Sequence, residues 1–288
     1  MKKKGFTIIE LLTVIAIIAL LIGILAPSIS KARLIATNLK QKAQLRNIGI
    51  GVELWHNEQG NEYPDSVTLG TTNFTTGAHH LAEAMFGRDG YGFDSLSTWD
   101  AEDDAVTGTA YVLPPDNRES TYLDRNQIDM FQLAQIYEDD TLTGNAYSGD
   151  YNADGTATTA SYRAGVLTDI YKKRKITMPV SGESVKIGSP ILYFKARDTE
   201  IFNDVDATTS VFNWNDNMDI FALGHNITGD VHPYDDILNF YDSQGDLINH
   251  NTRVMGDPVP YNKDTFLLLS AGADGLYGTK DDITNISK

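Results

Sequence analysis

An acidic loop near the C-terminus is the part of the sequence whose residue types most clearly could do chemistry. Residues 269–285 read LSAGADGLYGTKDDITN, with carboxylates at Asp274, Asp281 and Asp282 and three glycines among them. Calcium takes about six to eight oxygen ligands, and tight glycine turns let backbone carbonyls join the carboxylates. From the residue types alone, a calcium loop and a solvated acidic tail are equally open interpretations.

A second acidic segment, Asp150-Tyr-Asn152-Ala-Asp154-Gly155-Thr, fits the opening of an EF-hand-type calcium loop. In such a loop, oxygen ligands at alternate positions, followed by a glycine, surround a hard cation. The position that normally holds a bidentate carboxylate is Ser161 here, and a serine cannot supply one. The segment is therefore either a weaker second calcium site or an ordinary turn rich in aspartate and asparagine.

The rest of the sequence lacks the residue patterns typical of an active site. The six histidines show no zinc-type spacing, and there is no Gly-x-Ser-x-Gly, His-Glu-x-x-His or phosphate-binding glycine loop. The basic run Lys172-Lys173-Arg174-Lys175 is either a solvated face or a docking patch for another acidic domain. We therefore expect a protein that is not an enzyme.

Charge is distributed unevenly along the chain. The chain has 23 basic and 39 acidic residues, and residues 1–46 hold eight of the basic residues but a single acidic one, Glu10. Residues 47–288 therefore hold 15 basic and 38 acidic residues, a net charge of −23. An acidic body repels phosphates, so we expect no nucleic-acid partner. Cysteine is absent, so any long loop must be held by packing or by a metal.

The N-terminal segment predicts one membrane-spanning helix. Residues 8–26 are nineteen residues with a single charge, Glu10. A helix from Phe6 to Ala26 spans about 31 Å, which matches the hydrocarbon core of a bilayer. Lysines at positions 2–4 directly precede the apolar run, so we expect the N-terminus in the cytoplasm and the body of the protein outside it.

Two ordinary interpretations of this segment are a cleaved signal peptide and a plain signal anchor. The apolar run is long for a signal peptide, and Pro27 disfavours cleavage after Ala26. A plain anchor leaves Glu10 unexplained, because a carboxylate at depth in a membrane costs about 2.5–3.5 kcal/mol and usually has a partner.

The sequence KGFTIIEL at residues 4–11 resembles the prepilin peptidase site of type IV pilins and type II secretion pseudopilins. The resemblance implies that a peptidase cleaves after Gly5 and methylates the new N-terminal amine of Phe6. It also implies that Glu10 pairs with the N-terminal amine of a neighbouring subunit. Residues 1–5 would then be a leader peptide.

The helical pattern continues beyond Pro27, which is expected to kink or locally break the helix. Apolar residues recur mostly at three- and four-residue steps as far as Trp55, which predicts a helix over residues 6–57, about 78 Å long. A long helix that is apolar all round and then amphipathic is typical of a pilin stem. Residues 44–64, with Trp55, Gly60 and Tyr63-Pro64, also resemble the end of this helix in pseudopilins.

Residues 58–288 are expected to form a globular head, giving an α+β pilin fold in which the long helix packs on a small antiparallel sheet. Residues 65–187 are rich in threonine, glycine, aspartate and asparagine, and we interpret them as a large loop-rich insertion. Short helices are predicted there at 78–86 and 128–137, and residues 162–171 are ambiguous. Residues 188–288 carry the predicted sheet, with strands at 191–196, 211–214, 220–223 and 266–269.

The C-terminal acidic loop resembles the calcium loop of major type II secretion pseudopilins, in which Ser-x-Gly-x-Asp-Gly leads to a later Asp-Ile. Asp274 and Asp282 match those aspartates, and Asp281 is an extra neighbour. The resemblance implies a structural calcium ion, with backbone carbonyls of Leu269 and Ser270 as further ligands.

Together these resemblances imply a structural subunit of a type II secretion pseudopilus or of a type IV pilus-like filament, without an active site. Its expected partners are copies of itself, other pilin-like subunits, a prepilin peptidase, an inner-membrane assembly platform and the membrane. We expect a single-pass inner-membrane protein with a periplasmic head that later joins a periplasmic or cell-surface filament. Two alternatives remain: a minor pilin or tip adhesin, and a membrane-tethered binding or enzymatic module exported with a prepilin leader.

Overall fold

The structure is a computed structural model. It describes residues 7–66, 76–87, 92–93, 121–137, 165–177, 182–198, 210–224, 229, 231–241, 249–250 and 259–286. The cleavage junction Gly5-Phe6 and the second acidic segment, with Asp150, Asn152 and Asp154, lie outside these described residues.

A single helix, α1, runs from Ile8 to Glu58 over 51 residues, a length of about 77 Å. Pro27 lies inside α1 without ending it, so the expected local break is wrong. Proline removes one backbone donor from a helix, and two serine hydroxyls on the next turn bond to carbonyls four residues back. Ser28 Oγ donates to the carbonyl of Ile24 at 3.4 Å, and Ser30 Oγ donates to that of Ala26 at 3.2 Å.

The head follows α1 as short helices and short strands. The helices are α2 (Gly77–Phe86), α3 (Leu133–Tyr137), α4 (Met218–Leu223) and α5 (Ile237–Tyr241), with 3-10 turns at Trp214–Asp216 and Pro233–Asp235. The strands are β1 (Met130–Gln132), β2 (Gly165–Leu167), β3 (Arg174–Thr177), β4 (Ser184–Ile187), β5 (Leu192–Lys195), β6 (Asn249–His250), β7 (Val259–Pro260), β8 (Phe266–Ser270) and β9 (Ile283–Thr284).

A three-stranded antiparallel sheet, in the order β5-β8-β9, lies against the C-terminal half of α1. All five residues of the central strand β8 are buried, because both faces of the strand are covered. Phe266 and Leu268 pack with Ile48 and Val52 of α1. Leu267 and Leu269 face a second core that includes α4 and α5. The expected α+β arrangement, with a long helix on a small antiparallel sheet, is confirmed.

Three antiparallel two-stranded ladders complete the described sheets: β1 with β2, β3 with β4, and β6 with β7. The end of β2 also approaches the chain just before β5, through a bridge between Thr168 and Pro190. Asp169 N–H donates to the carbonyl of Ser189 at 2.9 Å. This contact brings the start of the β3–β4 hairpin beside the three-stranded sheet.

Part of the segment interpreted as an insertion belongs to the main cores. All ten residues of α2 are buried, and Leu81 and Met85 pack in the same core as Ile48 of α1. A side chain at Gly51 would come within 2.8 Å of the Met85 sulfur, so this glycine lets α1 and α2 approach closely. The division at residues 65–187 and 188–288 stays a prediction, with α2 and β2 contributing packing to both cores.

Two local predictions for the head are wrong in element type, and a third is correct only in its second half. Residues 211–214 form no strand, since Asn213 Oδ1 accepts the Asn215 N–H at 3.0 Å and starts a 3-10 turn. Residues 220–223 lie in α4. Residues 128–137 contain strand β1 before helix α3. A run of four or five apolar residues fits a buried strand and a buried helix equally well, so the sequence pattern could not separate the two.

Polar side chains of α1, N-terminal to its apolar contacts, also bond the stem to the head. Gln44 Nε2 donates to the carbonyl of Thr168 at 3.0 Å, and Gln41 Oε1 accepts the N–H of Ile170 at 3.0 Å. The hydroxyl of Tyr171 donates to Asn38 Oδ1 at 2.8 Å. The part of α1 from about Asn38 onward is therefore built into the head, and a soluble head has to begin upstream of it.

Candidate functional site

The first candidate site is the N-terminal end of α1, where Glu10 is used as a helix cap. Glu10 Oε2 accepts the Thr7 N–H at 2.8 Å and the Thr7 hydroxyl at 2.8 Å. The Glu10 N–H donates to Thr7 Oγ1 at 3.3 Å, which completes a reciprocal capping box. The other carboxylate oxygen, Oε1, has no hydrogen bond within the described part of the chain.

The N-terminal half of the stem has an apolar surface that no other described part of the chain covers. Every residue from Thr7 to Ala36 is exposed in the single chain, and the large aliphatic side chains of the first turns, such as Ile8 at 83% and Ile9 at 74%, are among the most exposed. Within the described ranges, α1 is the one helix long and apolar enough to cross a membrane. An apolar surface of this extent requires lipid or other apolar helices around it.

The second candidate site is the loop between β8 and β9, where the three predicted aspartates come together around one threonine. Thr279 Oγ1 donates to Asp281 Oδ1 at 2.6 Å and lies 3.4 Å from Asp282 Oδ1. Asp281 Oδ2 accepts the Asp274 N–H at 2.8 Å. Asp282 Oδ2 accepts the Gly278 N–H at 2.7 Å. The loop thus places three carboxylates and one hydroxyl on a short stretch of backbone.

Two glycines and one tyrosine hold this loop in shape. Gly272 has φ of +67°, and a Cβ there would lie 2.2 Å from the Asp281 carbonyl oxygen, so only glycine fits. Gly278 has φ of +94° and lies against the ring of Tyr234. Tyr277 is fully buried, and its hydroxyl donates to the carbonyl of Pro190 at 2.6 Å. The acidic side chains are therefore carried by a loop that is anchored in the core.

The electrostatics of the loop favour a cation. The pKa of Asp282 is raised to about 8, mainly by burial and also by the negative charges of Asp274 and Asp281, while the hydrogen bonds from Gly278 and Thr279 oppose the rise. No described basic side chain forms an ion pair with any of the three aspartates. A buried carboxylate without a compensating charge must be protonated or bound to a cation. Carboxylate and hydroxyl oxygens are the ligand type that calcium prefers, so the donor set fits that ion chemically.

The other two expected calcium ligands, the carbonyls of Leu269 and Ser270, belong to the end of strand β8. Leu269 lies inside the central strand β8, paired with Leu192 on one side and Thr284 on the other. Ser270, the last residue of β8, is paired with Ile283, and its hydroxyl donates to Asp169 Oδ2 at 3.2 Å. Among the residues that the structure describes, no group of three or more His, Cys, Asp or Glu side chains has the geometry of a metal centre. Calcium therefore stays a prediction.

Sequence reasoning missed Thr279 in this site and Asp169 beside strand β8. Thr279 lies two positions before Asp281 and could have been found from its place between the two acidic groups. Asp169 is buried, and its Oδ1 accepts the N–H groups of Tyr171 at 3.1 Å and Ser189 at 3.2 Å. It lies 101 residues before Ser270, so nothing local in the sequence indicates the contact.

Asp169 predicts a pH dependence of stability. Burial raises the pKa of Asp169 to about 7, although hydrogen bonds from Tyr171, Ser189 and Ser270 and the charge of Arg174 favour the ionised form. In the unfolded chain the pKa is about 3.9. The folded state therefore takes up the proton first as the pH falls, and the cost of the buried charge, up to about 4 kcal/mol, is progressively relieved between pH 7 and pH 4.

This dependence can be measured by comparing wild type with Asp169→Asn, in a shortened chain that starts at Ser28. We expect the variant to unfold at a higher denaturant concentration at pH 7.5 and the difference to shrink by pH 4.5. Asp264→Asn is the matched control, since that carboxylate is 82% exposed. Parallel stability curves for wild type and Asp169→Asn across this range would contradict the assignment.

Comparison with known proteins adds one match. A family model described as the prokaryotic N-terminal methylation motif matches residues 1–26. The matched segment includes Gly5, Phe6 and Glu10 together with the first apolar turns of α1. No curated protein and no solved structure matches the chain.

Proposed function

We propose that this chain, a type IV pilin-like protein by its methylation motif and its long apolar N-terminal helix, is a structural subunit of a type II secretion pseudopilus or a type IV pilus-like filament. One observation carries the proposal. The motif stands at the start of a helix that is uncovered over its first half and built into the head core over its second half. A subunit that assembles through its stem needs this division.

In this proposal a prepilin peptidase removes residues 1–5 and methylates Phe6. The subunit then sits in the inner membrane with its acidic head in the periplasm. An assembly platform gathers it with copies of itself and other pilin-like subunits into a periplasmic or cell-surface filament. Proteins with a prepilin motif are generally structural subunits, and we infer that this one likewise has no catalytic activity and acts mechanically.

The mature chain is expected to begin at Phe6 with one added methyl group. The basis is the Gly5-Phe6 junction between the basic leader and the apolar run, inside the matched motif. Intact-mass analysis of protein extracted from membranes of cells that contain a prepilin peptidase measures this directly. A native N-terminus at Met1, or at any residue after Ala26, would show that the chain is not processed as a prepilin.

The filament itself is tested by imaging. Cells that overproduce the chain are labelled with antibodies against the head and viewed by electron microscopy. Label along the whole length of filaments supports a shaft subunit. Label confined to filament ends, with few copies per filament, would instead favour a minor pilin or tip adhesin.

We also propose that the β8–β9 loop binds a structural calcium ion. Asp274, Asp281 and Asp282 would supply carboxylate oxygens, and the Thr279 hydroxyl donates to Asp281 and lies 3.4 Å from Asp282. The contribution of the Leu269 and Ser270 carbonyls rests on the resemblance alone. A bound cation would compensate the buried charge of Asp282 and fix the loop against the core through Tyr277.

A further inference from the structure

The outward face of the β3–β4 hairpin carries lysines that form no ion pair with any acidic residue in the described part of the chain. In the antiparallel register of β3 and β4, Lys175 lies directly opposite Lys186, and both are exposed. Ile176 and Ile187 are buried on the other face of the hairpin. Lys173, two residues before Lys175, is also exposed, but its side chain lies beside Gly275 of the acidic β8–β9 loop. We call Lys175 and Lys186 the lysine face.

The lysine face is electrostatically unfavourable in a single chain. Like charges directly opposite each other on neighbouring strands are destabilising. The ion pairs found among the described residues are Lys172–Asp129, Arg197–Asp216 and Lys263–Asp264, and none of them includes a residue of the lysine face. Residues 47–288 carry a net charge of −23. The lysine face is thus a positive patch on a negative domain.

Acidic side chains lie at the C-terminal end of the part of α1 that contacts the head. The turn that leads into β3 is bonded to Asn38 and Gln41, low on the head part of α1. Glu58, the last residue of α1, and Glu62 just beyond it are exposed carboxylates. We call these two residues the acidic end. Gln41 and Glu58 are separated by about 26 Å along the helix, so the turn that leads into β3 and Glu58 of the same chain lie far apart.

We propose that the lysine face docks on the acidic end of a second copy of this chain. The proposal rests on the proposed filament function and adds that copies are staggered along parallel stems. A stagger of this kind brings the side of one head nearest the N-terminal half of α1 over the far side of the next head. The lysine face of one copy would then meet the acidic end of the other. A head-to-tail contact between different surfaces propagates without closing, as a filament requires.

Charge reversal in full-length protein tests the docking in cells that process and assemble it. Lys175→Glu with Lys186→Glu is expected to lower the amount of filament roughly tenfold, because two exposed attractions become repulsions. Glu58→Lys with Glu62→Lys should do the same, and the four changes together should restore most of the loss. Lys263→Glu, an exposed lysine outside the lysine face, is the matched control and should assemble normally. Because Glu58 also accepts a hydrogen bond from Tyr122 at 2.7 Å, Glu62→Lys alone serves as a milder second variant.

Cysteine cross-linking gives a second, independent readout, since the natural chain has no cysteine. Lys175→Cys combined with Glu62→Cys should give a ladder of oxidised oligomers in filaments, and Lys263→Cys with Glu62→Cys should not. If wild type forms no filaments, the proposed function fails. If wild type assembles but lysine reversal has no effect, the docking is overturned. It is also overturned if lysine reversal weakens assembly while the acidic reversal neither weakens nor restores it, which would indicate another anionic partner such as lipid headgroups.

Discussion

Replacing Glu10 with leucine is expected to abolish filament assembly and to leave membrane insertion at least as efficient as in wild type. A carboxylate inside the bilayer costs about 2.5–3.5 kcal/mol, so its removal favours insertion. Within one chain, Glu10 Oε2 is satisfied by Thr7, and the second oxygen stays available for a neighbour. We propose the N-terminal amine of another subunit as that partner, because an unpaired charge in lipid needs an opposite charge. The measurement is filament yield against the amount of inserted protein.

Glu10→Gln separates this role from helix capping. Glutamine keeps the side-chain acceptor of the capping box but not the charge. If the charge pairs with an amine, Glu10→Gln should fail in assembly as Glu10→Leu does. If capping is the whole role, Glu10→Gln should assemble and Glu10→Leu should not. Normal filaments from Glu10→Leu, without any wild-type subunit present, would refute both roles.

The elements that the sequence predicts correctly are those with a long apolar periodicity or with turn residues at both ends. The stem was predicted to end at residue 57 and ends at Glu58, because a 3.6-residue periodicity sustained over many turns leaves few alternatives. Strands β5 and β8 were found as apolar runs flanked by turn residues. Residues 211–214 and 220–223 were assigned wrongly. Their structure depends on distant side chains, such as the Tyr241 hydroxyl that accepts the Trp214 N–H at 2.9 Å.

The same difference between local and distant information applies to the candidate site. Asp274, Asp281 and Asp282 lie within nine residues, so their convergence could be predicted from the loop sequence alone. The burial of Asp282 could not, because it depends on how the loop is anchored, with Tyr277 reaching Pro190. Asp169 approaches Ser270 only because β2 leads into the turn beside β8. Contacts of that range follow from the tertiary fold.

Calcium is expected to raise the melting temperature of the head, and the effect should depend on the β8–β9 loop. Binding to the folded state alone adds about 2.7 kcal/mol at a hundredfold excess of calcium over its dissociation constant, or roughly 5–10 °C for a domain of this size. Weak extracellular sites have dissociation constants of about 10⁻⁴–10⁻³ M, so a hundredfold excess corresponds to about 10–100 mM calcium. The chain should start at Ser28, since Leu45, Ile48 and Val52 belong to the head core. Melting is compared in calcium and in chelator.

The variants of this loop make the test specific, because one substitution should act in opposite directions in the two conditions. Asp274→Ala with Asp282→Ala should remove most of the calcium response, whereas Asp150→Ala with Asp154→Ala should remove little.

Asp282→Asn keeps an acceptor for the Gly278 N–H but removes the buried carboxyl group, whose pKa is raised. In chelator it should therefore melt at or above the wild-type temperature, because no uncompensated carboxylate is buried. In calcium it should melt below wild type, because a ligand charge is lost. A calcium response that survives the Asp274/Asp282 double change would place the ion elsewhere, and a melting temperature indifferent to calcium would remove the site altogether.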